Sequence, residues 1–295
     1  MKDFNQFYCR TLLYSGAFSL FIILLIFLPG KLNARSFSEE KKEGVTGILP
    51  GEEIFDPLMA DPRWPHSSAS LQIFQDEARL RNVGSANLGA SFALLGCEHW
   101  GGKWQIGLQA GVFSIFDLDA PSDDLVNSDF RVGLPLSVRY GFFSAQAKIY
   151  HQSSHLGDEF LLRNHPERLD LTYDGIDLLL SLDLGQVIRI YGGGGKLIRS
   201  NPDLEKYSVH GGLELVSPGP LFASAYPVAA LDVQSFEETE WNENYSAQAG
   251  FEIRSSRFAN RRLLVLFEYY KGNSPNGQFY ELNIKSYGYG IHFFF

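Results

Sequence analysis

Ser286-Tyr-Gly-Tyr-Gly-Ile-His-Phe-Phe-Phe295 closes the chain and decides how the rest of it is read. Tyr287, Tyr289, Ile291, Phe293 and Phe295 fall on alternate positions, with Ser286, Gly288, Gly290 and His292 between them. A period of two is the period of a β-strand. Large apolar groups on one face and small polar ones on the other predict lipid outside and a wet lumen inside, the pattern of a transmembrane β-barrel.

Composition agrees with that pattern. The chain has 295 residues, is 20% charged, and contains 29 Gly, 14 Tyr and 24 Phe. Its mean hydropathy is -0.10, because barrel strands alternate apolar with polar positions. No apolar run of helix-spanning length occurs beyond residue 30, which excludes a helical membrane protein. The net charge of -9 excludes a generic nucleic-acid binder, which needs clustered Lys and Arg. Cys9 and Cys97 make no disulfide framework, because Cys9 belongs to the leader.

Residues 1–34 read as a secretory signal. Lys2 and Arg10 begin it, Leu20 to Leu28 is its apolar core, and Pro29-Gly30 breaks it before cleavage near Ala34. Removing it takes away Lys2, Arg10 and Lys31 against Asp3 alone, so the mature chain is the more acidic. Residues 35–67 carry Pro50, Pro57, Pro62 and Pro65, too dense for regular helix or strand. Ile54, Phe55, Leu58, Met59 and Trp64 give this stretch apolar groups to dock, as a periplasmic extension or as a short plug.

From residue 68 to 295 two-residue periodicity recurs between turn residues. It predicts strands at 69–77, 86–98, 102–118, 128–140, 142–155, 169–184, 187–199, 207–217, 221–236, 244–255, 262–272 and 284–295. The fold class is therefore all-β, an antiparallel transmembrane barrel of about twelve strands with an N-terminal non-barrel segment. A merged or missed hairpin would make the count ten or fourteen. Pro135 and Pro227 cannot donate to a ladder, so each marks a bulge or break. Trp100, Trp104, Trp241, Tyr269 and Tyr270 read as interface girdle residues. Tyr191 to Lys196 contains four glycines but lacks the first glycine and the Ser or Thr of a phosphate loop. Those glycines instead allow strands to approach closely.

The densest chemistry lies between Ala145 and Asp170. On the strand at 142–155, Phe143, Ala145, Ala147 and Ile149 assign the odd positions to lipid, and His151, Ser153 and His155 continue that side. Polar groups there are costly unless they sit near headgroups. As the fifth barrel strand this one runs outward and carries them to the extracellular end. A metal site of His151, His155, Asp158 and Glu159 would require a turn at Ser154, because strand residues four apart are about 13 Å from each other. We assign no metal and no cofactor.

His151-Gln152-Ser153 resembles the His-x-Ser motif of two lipid hydrolases, outer-membrane phospholipase A and the lipid A 3-O-deacylase. The resemblance implies Ser153 as nucleophile, His151 as base, and Asn164 or Glu159 orienting the imidazole, with Asp170 a further substitute. Ser154 stands where the phospholipase has Asn. A second resemblance spans Ile48 to Phe295. Leu49 to Pro65, LPGEEIFDPLMADPRWP, and Ser153 to Phe160, SSHLGDEF, are similar to a bacterial family catalogued as domain of unknown function 1207. It implies an envelope location and singles out Ser154, His155 and Asp158 as candidate ligand-binding residues.

The chain thus supports two functions: a non-catalytic envelope, lipid-binding or small-solute barrel, and a serine esterase acting on outer-leaflet lipid. Its expected partners are outer-membrane lipids, lipopolysaccharide, and the barrel-assembly machinery through the strand ending at Phe295. Cell fractionation checks the membrane reading: the protein is expected with the outer membrane, and recovery in the soluble periplasmic fraction would mean a soluble lipid carrier instead.

Overall fold

The computed structural model describes residues 45–75, 80–166, 168–255 and 261–294. The leader, residues 35–44 and Phe295 with its assembly role lie outside them. A two-residue strand, β1 (Gly47–Ile48), precedes twelve long ones: β2 (Ser67–Gln75), β3 (Asn82–His99), β4 (Gly102–Asp117), β5 (Asp124–Tyr140), β6 (Phe143–Leu156), β7 (Thr172–Leu184), β8 (Ile188–Asn201), β9 (Tyr207–Val216), β10 (Ala225–Phe236), β11 (Glu243–Ile253), β12 (Arg262–Asn273) and β13 (Asn283–Phe294). Each of these twelve pairs antiparallel with its chain neighbours. β2 also pairs with β13, which closes the barrel. Closure leaves no unpaired edge, the condition for crossing lipid with strands. Pro135 breaks the β4–β5 ladder, which skips from Ile106↔Leu136 to Gln109↔Gly133, and Pro227 falls just beyond the β9–β10 ladder at Val228↔Val216.

The alternation read from the last strand holds. Tyr289 and Ile291 are exposed, while Ser286 and His292 are buried. Strand β6 divides in the same way, with Ile149 outward and Ser144, Gln146, Lys148, Gln152 and Ser154 inward. Tyr270 departs from the expected girdle. It faces inward and packs with a cluster of Phe74, Val83, Ile115 and Phe160. The glycine run makes close approaches: a Cβ on Gly193 would stand 1.9 Å from the carbonyl oxygen of Leu178.

The lumen is occupied by a segment of the chain itself. Residues 49–66 run through it and pack Phe55, Leu58, Met59 and Trp64 against Leu179, Tyr191, Val228, Leu264, Leu266 and Phe294 from the wall. Their proline-interrupted backbone cannot form its own ladder, so wall side chains satisfy it. Ile54 N–H donates to Gln105 Oε1 (2.9 Å), Arg139 Nε donates to the Ile54 carbonyl (2.7 Å), and Arg189 donates to the Pro57 carbonyl (3.1 Å). Trp64 is 1% exposed and stacks on Phe55 at 5.9 Å. Trp64→Ala is expected to cost about 3 kcal/mol, read as a lower urea midpoint of the detergent-refolded barrel.

Candidate functional site

Two chemistries meet at one end of β6, one on each side of the barrel wall. On the outer side, His151 is opposite Asp174 of β7, and Asp174 is opposite Arg199 of β8. His151 Nδ1 lies 2.7 Å from Asp174 Oδ1, and Arg199 Nη2 lies 2.7 Å from Asp174 Oδ2. The carboxylate is thus held on both oxygens, and the imidazole turns its Nε2 edge away from it. Ser153 follows two residues along the same face, flanked by Phe130 and Thr172 on the adjoining strands. The spacing along the strand is roughly 7 Å, within which a serine and a histidine side chain can turn toward each other. The His151 side chain is 47% exposed, and Ser153 is half-buried.

On the inner side, Ser154 donates to Asp129, which is fully buried. Asp129 also pairs with Arg63 of the lumen segment and accepts from Asn127 Nδ2 (2.9 Å) and the Gly277 N–H (2.9 Å). One carboxylate therefore joins the plug, β5, β6 and the connection between β12 and β13. Gln278 reinforces this junction, donating to the carbonyls of Ser154 and Leu169, both at 2.9 Å. Together these contacts fix the end of β6 that carries His151 and Ser153.

The other residues singled out by sequence lie in different places. Asn164 and Glu159 belong to a short helix, α1 (Asp158–Asn164), which Gly157 precedes and His165 ends in a left-handed conformation. Asn164 donates to the Phe160 carbonyl one turn back, and Glu159 is exposed. Phe160 anchors α1 against Phe279 at 5.9 Å, and Arg163 pairs with Asp124 at 2.7 Å. His155 is outward and meets the edge of Phe130 at 5.8 Å, Ser154 is inward, and Asp158 begins the helix exposed to solvent. The three candidate ligand residues therefore point in three directions. Asp170 contacts Asn201 at 3.1 Å.

Asp174 is the residue that sequence reasoning passed over. A signal for it existed. On β7, Ile176, Leu178, Leu180 and Leu182 are the lipid-facing set, and Asp174 is the charged residue that continues it, as His151 continues the lipid-facing set of β6.

The architecture defines the class: a closed twelve-stranded antiparallel barrel of outer-membrane type with a filled lumen and a polar cluster on its outer wall. A family model described as "Protein of unknown function (DUF1207)" matches residues 32–295, and the chain belongs to that family. No curated protein sequence matches the chain. Among solved structures, outer membrane phospholipase A from Escherichia coli is similar with a TM-score of 0.55 at 12% identity, over 82% of this chain and 94% of that one. The Salmonella typhi outer membrane phospholipase, a dimer with bound calcium, gives 0.53 at 13%, over 78% and 91%. An active-site mutant of the E. coli enzyme, with Asn replaced by Ala, gives 0.54 at 11%, over 82% and 93%. At these identities the likeness is one of fold.

Asp129→Leu would leave Arg63 without its partner in the lumen. Losing one member of a buried pair costs about 3–5 kcal/mol, so the variant is expected to unfold at lower urea and to be cut faster by protease in the 157–171 connection.

Proposed function

We propose that this protein is a serine hydrolase of ester-linked lipids in the outer leaflet of the outer membrane. One observation carries the proposal: the His151–Asp174 hydrogen bond of 2.7 Å on the lipid-facing wall, two residues from Ser153. The similarity in fold to outer membrane phospholipases supports it. In this reading Ser153 is the nucleophile and His151 the base. The orienting role goes to Asp174 in place of Asn164 or Glu159, because those two are spent on α1 and its surface.

The chemistry follows from the hydrogen bonds. Asp174 holds Nδ1–H, which fixes the tautomer with a free lone pair on Nε2. Nε2 removes the Ser153 hydroxyl proton as Oγ attacks the ester carbonyl, and the ionised carboxylate stabilises the imidazolium that forms. The imidazolium then protonates the departing alcohol oxygen, leaving an acyl-serine. Water, deprotonated by the same His151, attacks the acyl-serine, and the imidazolium returns that proton to Ser153 Oγ as the acyl–oxygen bond breaks and the fatty acid leaves. Arg199 holds the second oxygen of Asp174 and keeps the carboxylate in place throughout.

Sidedness fits this use. The connections at 100–101, 141–142 and 185–187 are short, 217–224 and 254–261 at the same end are of middle length, and 157–171 at the opposite end is the long one, in the sense of periplasmic turns and extracellular loops. His151 and Ser153 stand at the long-loop end, level with outer-leaflet headgroups. A solute-passage role has less support, because residues 49–66 occupy the lumen.

Ser153→Ala and His151→Ala are each expected to lower fatty-acid release from phospholipid in mixed micelles by about 10³-fold or more. Asp174→Ala is expected to retain more, losing on the order of 10²-fold in kcat. A fluorophosphonate should label Ser153 in the wild type and not in His151→Ala. Equal release by the wild type and the Ser153→Ala variant would end the hydrolase reading.

A further inference from the structure

Between the lumen segment and the wall lies a cavity of about 180 Å³, room for roughly a dozen water molecules. Asp61 and Arg63 of the lumen segment line it, and Glu205, Glu238 and Tyr280 belong to connections at its long-loop end. Glycines make part of the space. Before a bulge at Ile198, where Asp174 is opposite Arg199 and Gly175 opposite Leu197, β8 presents Gly195 opposite Asp177 on β7 and Ser208 on β9. A Cβ on Gly195 would stand 2.4 Å from Asp177 Oδ1 and 2.8 Å from Ser208 Oγ, and one on Gly175 would stand 2.6 Å from the Tyr150 hydroxyl. The two glycines let Asp177 and Tyr150 lie close against the wall.

Two cations share the Asp177 carboxylate. Arg131 Nη2 is 3.3 Å and Lys148 Nζ 3.6 Å from one and the same oxygen, Oδ2. Both contacts are longer than the ~2.7–2.9 Å of a well-made charge-assisted bond. The two cationic side chains are only 13% and 7% exposed, so water offsets little of that deficit. The other charges here are engaged elsewhere. Arg63 pairs with Asp129 and His210 with Asp232, while Asp61 Oδ1 accepts from the Arg63 N–H (2.8 Å) and from Gln234 (3.1 Å). Glu238 accepts from the Glu205 N–H (2.5 Å) and the Tyr280 hydroxyl (3.4 Å). A buried charge is costly without a partner of its own. Arg131 and Lys148 carry one positive charge more than the carboxylate they share. Among the described residues no hydrogen bond engages the hydroxyls of Tyr173 and Ser208, which line the same space. The cavity thus gathers two cations and two hydroxyl donors.

We propose that Arg131 and Lys148 form a binding site, at the long-loop end of the lumen, for the oxyanion of a small solute, a carboxylate or a phosphate, with the Tyr173 and Ser208 hydroxyls as further donors. The site lies on the lumen side of the wall and involves no reaction, so it stands apart from the hydrolase reading. A lipid headgroup offers the same chemistry, but its acyl chains exceed the cavity.

Calorimetry on the detergent-refolded protein tests the site with glycerol phosphate, inorganic phosphate and acetate, and with glycerol as the uncharged control. Glycerol phosphate is expected to bind and glycerol is not. Lys148→Met is expected to weaken glycerol phosphate about tenfold or more, the loss of one charge-assisted bond. Tyr173→Phe, which deletes only a hydroxyl, is expected to weaken it about threefold, and this variant carries the test if Lys148→Met does not refold. Asp61→Asn removes a negative charge from the cavity and is expected to tighten binding. A wild type that binds none of the three anions would overturn the site, as would unchanged binding in both Lys148→Met and Tyr173→Phe. Weaker binding in Asp61→Asn would overturn the assignment of an anion, because the ligand would then bring a cation to that carboxylate. Dihexanoyl phosphatidic acid binding more tightly than glycerol phosphate, and through Lys148, would overturn the small solute in favour of a lipid headgroup.

Discussion

Backbone amides and carbonyls have no partner in hydrocarbon, and that constraint organises this protein. It forces the sheet to close, through the β2–β13 pairing. Closure in turn gives every strand an inside and an outside. Because the side-chain period is two, a residue's environment is set by its parity wherever the ladder is regular. Ser153 and Ser154 show the consequence most directly. One step along the chain carries a hydroxyl from the lipid-facing wall to a buried carboxylate in the lumen.

The filled lumen answers a second demand. The inner wall of β5 to β8 carries Asp129, Arg131, Arg139, Lys148, Asp177, Asp183 and Arg189, charges that need partners once water is displaced. The segment at 49–66 supplies some of them, with Arg63 on Asp129 and Asp56 on Arg139. It also contributes a small hydrophobic core of its own around Trp64. Arg63, Asp129 and Ser154 make the interior a brace for the strand whose outer face carries His151 and Ser153. A surface site on a barrel wall is as rigid as what stands behind it, and here a packed polar junction stands behind it.

On the outer face, two features of strand pairing do what alternation cannot. His151 and Asp174 are brought together by the β6–β7 register across a connection of some fifteen residues. The bulge at Ile198 then turns Arg199 and Lys196 to the same side. Both features concern which residue of one strand lies opposite which residue of the next. The first leaves the alternation of each strand intact, and the second shifts it by one residue on β8.

That difference marks what could be read from sequence. The alternation of Tyr289, Ile291, Ser286 and His292, the strand positions, the twelve-fold count and the outward side of His151 and Ser153 were all determined by the chain itself, because each depends on residues two apart. The break at Pro135 was legible for the same reason, since a missing donor is a local property, whereas Pro227 lies inside β10 and pairs with Phe251. The pairing of His151 with Asp174, the passage of Trp64 and Arg63 through the lumen, the inward turn of Tyr270 and the shared face of Lys196 and Arg199 were decided only by tertiary structure. Register between strands depends on loop geometry and on packing across the barrel, and neither is written in the period of any one strand.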